Sequence, residues 1–244
     1  MPNWCYNKMK FRKKDFPKFL ERYVVPSADD EKKREFDFNK VDPMPKELAN
    51  TISSGSNVDL IVYYLFSTMK KKDAFAELEK YRKYSRFLVW TIGSMYKRRM
   101  TVKQILDKAR DRIGEDKDIR IFESELYDDK LKERYEDGSY RMLDAGHTAE
   151  EAGKYYYDLL VKFRCMDWYE WACKNWGVKW NASDTYIDDE KCTIWFDTPW
   201  GTPDSIYEKI AKQNPDWNVR VRADFEDPGH ITGRIVDGEL EWAC

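Results

Sequence analysis

Four of the ten tryptophans fall in one short window, DWYEWACKNWGVKWNASD, which runs from Asp167 to Asp184. Four more, Trp195, Trp200, Trp217 and Trp242, follow before the last residue. Each indole buries a large apolar area and carries an N–H that needs an acceptor, so a cluster this dense has to become either a packed core or a stacking surface. Asp167 is placed to cap a helix, with Glu170 reaching back as the other half of a capping box. Gly177 stands where that helix must stop, and the chain is expected to leave as a strand over Trp180 to Ile187.

On both sides of that window the apolar residues recur with a period of two. From Trp4 to Arg12, Cys5, Met9 and Phe11 alternate with Trp4, Tyr6, Lys8, Lys10 and Arg12, the pattern of a strand with one face inward. Beyond the window, Cys192 to Thr198 and Asn218 to Glu226 alternate in the same way. The turn Asp188–Lys191 predicts a hairpin, and Asp237-Gly238 predicts a second one between Ile231–Val236 and Glu239–Trp242. Two helices belong to this pattern. One is expected over Phe16 to Val24, capped by Asp15, and the other over Asp204 to Gln213, with Ile206, Tyr207 and Ile210 inward. After the first helix, FDFNKV is expected to be extended and to lead into the turn Asp42-Pro-Met-Pro45.

Between Lys46 and Arg164 the period is helical. Val58 to Met69, capped by Ser56, is apolar almost all round and is expected inside. Asp73 to Ile92 reads as one amphipathic stretch. Thr101 with Gln104, and Thr148 with Glu151, form capping boxes for helices over Val102–Ile113 and Ala149–Phe163, and Gly114 stands at the first one's stop position. Charge divides unevenly here. Ser67 to Ile113 holds 14 Lys/Arg against 5 Asp/Glu, a net of +9, and the formal charge of −2 for the whole chain leaves −11 for the remainder. Gly114 to Glu151 is acidic, with 13 Asp/Glu against 6 Lys/Arg.

Strand, helix, strand, strand, helix, strand, with the first strand at residues 4–12 and the rest after Arg164, is the order of a ferredoxin-like sandwich. The expected architecture is therefore α+β: residues 1–45 and 165–244 form the sandwich, and residues 46–164 are a long helical insertion. The motifs MPNWCYN, FDFNKVDPMP, WYEWACKNWGVKWNASD, WFDTPWGTP and PGHITGRIVDGEL, in that order, resemble the YubB-like family of phage and conjugative-plasmid proteins. That resemblance covers roughly the first 50 and last 80 residues, and it implies a C-terminal ferredoxin-like domain and a mobile-element origin. It brings no activity and no catalytic residues. The family's aromatic near the last motif is replaced here by His230-Ile-Thr.

The five cysteines, Cys5, Cys165, Cys173, Cys192 and Cys244, show neither a C-x-x-C nor a metal-ligand spacing and are expected to be reduced in a cytoplasmic protein of a bacterial host. The longest apolar run, Leu60 to Phe66, is far too short to span a bilayer. His147 and His230 read as loop residues. Asp184, Asp197, Asp224 and Glu226 read as partners of neighbouring arginines ahead of an enzymatic carboxylate site. No catalytic residue, metal ligand or cofactor is assigned.

Two surfaces remain as candidates. In the usual ferredoxin-like strand order Arg220 and Arg222 lie beside Tyr6, Lys8 and Lys10, and these lie beside Trp195. Interleaved rings and cations on an open sheet are what single-stranded nucleic acid requires. The favoured alternative lays the insertion across this face and puts the tryptophans in the core. The basic helices from Lys70 to Arg112 offer Lys97, Arg98, Arg99 and Lys103 to an acidic partner, or equally dock onto the acidic stretch that follows. The reading that results is a non-enzymatic accessory protein of a phage or plasmid that binds a host protein or nucleoprotein complex and inhibits a host nucleic-acid or defence system. Direct single-stranded nucleic-acid binding is the alternative, and an enzyme with a carboxylate site stands third.

Overall fold

The structure is a computed structural model, and it describes residues 3–27, 30, 32–49, 51–114, 119, 147–227 and 229–243, with the backbone alone at 132–134 and 140–142. The chain divides into two compact units, Met1–Met44 with Trp171–Cys244, and Pro45–Glu170.

The first unit opens with β1 (Trp4–Phe11), whose strict burial alternation puts Cys5, Asn7, Met9 and Phe11 inward. Helix α1 (Phe16–Tyr23) follows and buries Phe16, Phe19 and Tyr23. Asp15 stands at its N-cap without making the expected cap. Its carboxylate turns to Arg12, whose Nε lies 2.5 Å from Oδ2, because a cation three residues back competes for the same oxygen. The chain then forms a short ribbon, β2 (Val24–Pro26) against β3 (Arg34–Phe36). FDFNKV is not extended throughout: from Phe38 it turns into a one-turn helix, α2 (Phe38–Val41). Asp37 causes the turn by accepting from the Asn39 N–H at 2.9 Å, the local side-chain-to-backbone bond that competes with a strand ladder. Phe36 and Phe38 then both reach Phe196, with ring centroids 5.1 and 6.0 Å away.

The second unit begins with α3 (Lys46–Ala49) and α4 (Ser56–Thr68). Ser56 is the first helical residue of α4 and not its cap. Gly55 holds the cap position without a side chain to cap with, and Ser54 before it takes up the first amides, its hydroxyl accepting from the Ser56 N–H and its carbonyl from the Asn57 N–H. Helix α4 is buried almost all round, as its composition requires. The stretch from Asp73 to Ile92 is not one helix. It breaks into α5 (Lys71–Tyr81) and α6 (Arg86–Lys97), separated by a 3-10 turn over Arg82–Tyr84 and an extended Ser85. The cause is tertiary, since the break lets Tyr81 and Tyr84 both contact the Arg164 guanidinium, at 5.1 and 5.5 Å. Helix α7 (Val102–Ile113) starts with the Thr101–Gln104 capping box and stops at Gly114, whose φ is +88°. A backbone ribbon, β4 (Lys132–Arg134) with β5 (Tyr140–Met142), precedes α8 (Ala149–Phe163), which carries the Thr148–Glu151 box. Helices α4 and α8 cross closely at Gly153, where a Cβ would lie 2.2 Å from the Leu60 carbonyl oxygen. Only glycine fits there.

Helix α9 (Trp168–Asn175) starts on Asp167, which accepts from the Glu170 N–H at 2.9 Å. Glu170 reaches back one residue further than a capping box would, accepting from the Met166 N–H at 3.0 Å. The first unit then resumes with β6 (Ser183–Asp188), three residues later than expected, β7 (Thr193–Pro199), α10 (Asp204–Gln213), β8 (Val219–Phe225), β9 (His230–Val236) and β10 (Glu239–Trp242). The six-stranded sheet has the order β10-β9-β8-β1-β7-β6, antiparallel throughout. Four consecutive strands, β8-β1-β7-β6, with α1 and α10 over one face, are the ferredoxin-like sandwich, and the β9–β10 hairpin extends the sheet beyond β8. Asp237 and Gly238 both hold positive φ, as a two-residue hairpin turn demands. The architecture is α+β.

Candidate nucleic-acid interface

With Cys5, Asn7, Met9 and Phe11 turned to the helices, the other residues of β1 must face outward. Antiparallel register then decides their neighbours. Lys8 is paired with Arg222 on one side and Trp195 on the other, and Trp195 is paired with Tyr186. The result is one row across four strands: Arg222, Lys8, Trp195, Tyr186. The Lys8 ammonium lies 5.0 Å from the Trp195 ring centroid, and the Trp195 and Tyr186 rings are 5.4 Å apart at 43°. The next row runs Arg234, Arg220, Lys10, Thr193. Tyr6 lies in the row on the opposite side, between Asp224 and Asp197.

Tyr186 is 62% exposed and Tyr6 45%, Lys10, Arg220, Arg222 and Arg234 are exposed, and Lys8 and Trp195 are half-buried. The expectation that the tryptophans are core holds for Trp171, Trp176 and Trp217 but not for Trp195, Trp180 or Trp200. Tyr6, Lys8, Lys10, Trp195, Arg220 and Arg222 are thus all brought onto one face. Tyr186 and Arg234 join them without having been singled out from sequence. Tyr186 was legible as the outward position of its strand, but the pairing that sets it beside Trp195 is fixed only by register.

The cations Lys8, Lys10, Arg220, Arg222 and Arg234 sit in the middle of this face, the Lys10 row ends in Glu241 on one side and Asp188 on the other, and Asp224 and Asp197 flank Tyr6. Arg222 donates to Asp224, Nη2 to Oδ1 at 2.5 Å and Nε to Oδ2 at 2.9 Å, and this bond holds the Asp224 carboxyl below its usual range. Asp197 behaves differently: burial, and then the nearby Asp184, push its carboxyl up to about 6. The expectation that these strand carboxylates pair with arginines is met by Asp224, whereas Asp197 has no arginine partner among the described residues. Two carboxylates are too few to hold a metal by themselves, and the described residues contain no group of three or more potential ligands. His230 is exposed opposite Asp224, and His147 is half-buried in a backbone bridge with Ile119.

In the second unit Lys97, Arg98, Arg99 and Lys103 are all exposed around the turn from α6 to α7, where Arg99 takes a positive φ. Lys71 donates to the Met100 carbonyl at 2.7 Å beside them, and Tyr96, 51% exposed, stacks on Phe75 at 4.7 Å. Among the described residues Cys5, Cys165, Cys173 and Cys192 form no disulfide, and burial pushes the Cys5 thiol up to about 11. Cys244 lies outside the described residues. No helix is long and apolar enough to cross a membrane among the described residues.

A comparison with curated proteins gives no match. Among solved structures, the crystal structure of a protein api92 from Yersinia pseudotuberculosis is similar at 9% identity and a TM-score of 0.39, over 100% of this chain and 98% of that one. Residues 175–241, from the end of α9 into β10, match the family model described as the ferredoxin-like domain in Api92-like protein.

Proposed function

We infer that this chain is a non-enzymatic binding protein whose outward sheet face takes single-stranded nucleic acid. The row Arg222–Lys8–Trp195–Tyr186 supports the reading most, because it places two rings and two cations in register on the sheet face turned away from α1 and α10. Base stacking on such rings contributes about 1–3 kcal/mol per base, and every base has a face to stack, so recognition is tolerant of sequence. Lys10, Arg220 and Arg234 in the next row supply the charge that tracks phosphates. The resemblance of its motifs to the YubB-like family supports, as part of the same proposal, an origin in a phage or conjugative plasmid and a target in the nucleic acid or nucleoprotein of a bacterial host cytoplasm.

Fluorescence anisotropy with labelled single-stranded DNA and RNA tests this directly. The expected result is saturable binding, with log K falling on log salt at a slope of about −3.5, as contacts from the five cations imply. Trp195→Ala is expected to weaken binding about tenfold, a stacking loss of about 1.4 kcal/mol. Failure of every oligonucleotide to bind at low salt, or an unchanged affinity in Trp195→Ala, sinks the reading. A second reading, an acidic protein partner at Lys97, Arg98, Arg99 and Lys103, is favoured by their shared exposure beside the exposed Tyr96.

A further inference from the structure

A cleft of about 240 Å³ opens at the end of the first unit's sheet, where β1 and β8 stop pairing at Cys5 and Phe225. Trp4, Trp200 and Phe225 give it aromatic walls, and Glu226 and Asp227 stand among its lining residues. The loop that carries the two acids is closed onto the strands by its backbone: the Phe225 N–H donates to the Gly229 carbonyl at 3.0 Å and the Glu226 N–H to the Trp4 carbonyl at 3.3 Å. Both acids are exposed, and no ion pair holds either of them among the described residues.

Trp200 is presented at some cost. It is 55% exposed and holds a φ of +69°, a left-handed backbone that bulky side chains rarely adopt, and its N–H is fixed by the Asn3 carbonyl at 2.7 Å. One of these rings, Trp200, already meets a cation in the folded chain, together with Trp180 next to the cleft. The Lys179 ammonium lies 3.7 Å from the Trp180 centroid and 4.8 Å from that of Trp200, and Trp180 is in turn 6.3 Å from Trp4.

The geometry points to a binding site for an organic cation, a guanidinium or substituted ammonium group, in the cleft between Trp4, Trp200 and Phe225. Ring faces are the negative end of the aromatic quadrupole and attract a weakly hydrated cation, and Glu226 and Asp227 supply the opposite charge. The same carboxylates repel phosphate, so this site takes a different ligand from the sheet face and does not depend on that reading. The volume suits one side chain or one small ion and falls below that of ordinary drug-sized pockets.

The full chain is titrated with N-acetyl-arginine amide and, separately, with choline, while the indole N–H signals of Trp4 and Trp200 and the backbone signal of Gly229 are followed by NMR. Sodium chloride at matched ionic strength and N-acetyl-norleucine amide serve as the charge and shape controls. Saturable shifts at these positions, with a dissociation constant of the order of millimolar, are expected for the cations alone. A tighter arginine amide assigns the cleft to a protein side chain and a tighter choline to a free quaternary ammonium, and either result supports the site. The double variant Glu226→Gln with Asp227→Asn is expected to weaken binding about fivefold, and Trp200→Phe, which keeps a ring, less than Trp200→Ala. Absence of saturable shifts, equal binding of the norleucine amide, or unchanged affinity in the charge-neutral double variant overturns the proposal. The two acids are exposed, so that variant leaves the fold intact and its result stands even if Trp200→Ala unfolds.

Discussion

Tyr207 donates its hydroxyl to Asn7 Oδ1 at 2.9 Å in the middle of the first unit's core, where both side chains are buried. Asn7 in turn donates to Thr198 Oγ1 at 2.7 Å and to the Cys5 carbonyl at 3.0 Å, and Thr198 donates to the Gly201 carbonyl at 2.7 Å. One chain of bonds thus ties α10 to β1 and β7. Every side-chain polar atom in it is satisfied, which is the condition under which a buried network stabilises a unique arrangement.

That network sets the first expectation. Asn7→Leu leaves the Tyr207 hydroxyl without its acceptor and Thr198 Oγ1 without its donor, and should cost about 2–4 kcal/mol. Tyr207→Phe removes one bond and should cost about 1–2 kcal/mol. Urea unfolding of both variants measures the difference, and equal costs would mean that Asn7 does not organise the network.

The two helix-interior glycines of the second unit should respond in opposite directions. Gly153→Ala drives a methyl group onto the Leu60 carbonyl and should destabilise by about 2–3 kcal/mol as α4 and α8 separate. Among the described residues, nothing outside its own stretch of helix lies within 4 Å of where a Cβ would stand at Gly93 in α6. Gly93→Ala should therefore stabilise by up to about 1 kcal/mol through helix propensity. Thermal unfolding of the two single variants reads both signs.

Asp197 should make stability depend on pH. Its folded carboxyl is pushed up to about 6, above the ordinary aspartate value, so between about 4 and 6 the native state keeps a proton that the unfolded chain has lost. Stability from this group is present below the unfolded value and is lost as pH rises through about 6. Asp197→Asn should flatten the stability profile over that interval. Asp184→Asn should lower the Asp197 midpoint in a carboxyl carbon NMR titration, because a like charge has gone. A midpoint unmoved by that substitution would leave burial as the sole cause.

Replacing Lys97, Arg98 and Arg99 together by Glu reverses the charge of the exposed turn between α6 and α7. Exposed charges contribute about 0–1 kcal/mol per pair, so the melting temperature should stay close to that of the parent protein. If an acidic partner uses this turn, association with it should slow and lose its salt dependence, while oligonucleotide binding by the sheet face persists. Loss of stability in the triple variant would instead show that the turn is held by internal contacts.

Thiol reactivity should follow burial. Five groups are expected to titrate after denaturation, and in the native protein Cys5 and Cys165, both buried, should react far more slowly than Cys173 and Cys192. Fewer than five thiols in the denatured chain would reveal a disulfide or a bound ligand.

Signals that close within a few residues were legible in the sequence. The capping boxes at Thr101–Gln104 and Thr148–Glu151 need only one turn of backbone, the alternation of β1 needs only a buried side, and Asp237-Gly238 needs only two residues that tolerate positive φ. Together with the strand and helix order they carried the α+β class. Tertiary structure decided what depends on distant partners. The stretch from Asp73 to Ile92 broke where Tyr81 and Tyr84 meet Arg164, and Phe36 and Phe38 both came to pack against Phe196. The outward face belongs to the same class. Tyr186 joined Lys8, Trp195 and Arg222 only when register was set, because a strand's own period tells which side a residue faces while its neighbours come from another strand, whose register is specified by side chains as far apart as Asn7 and Thr198.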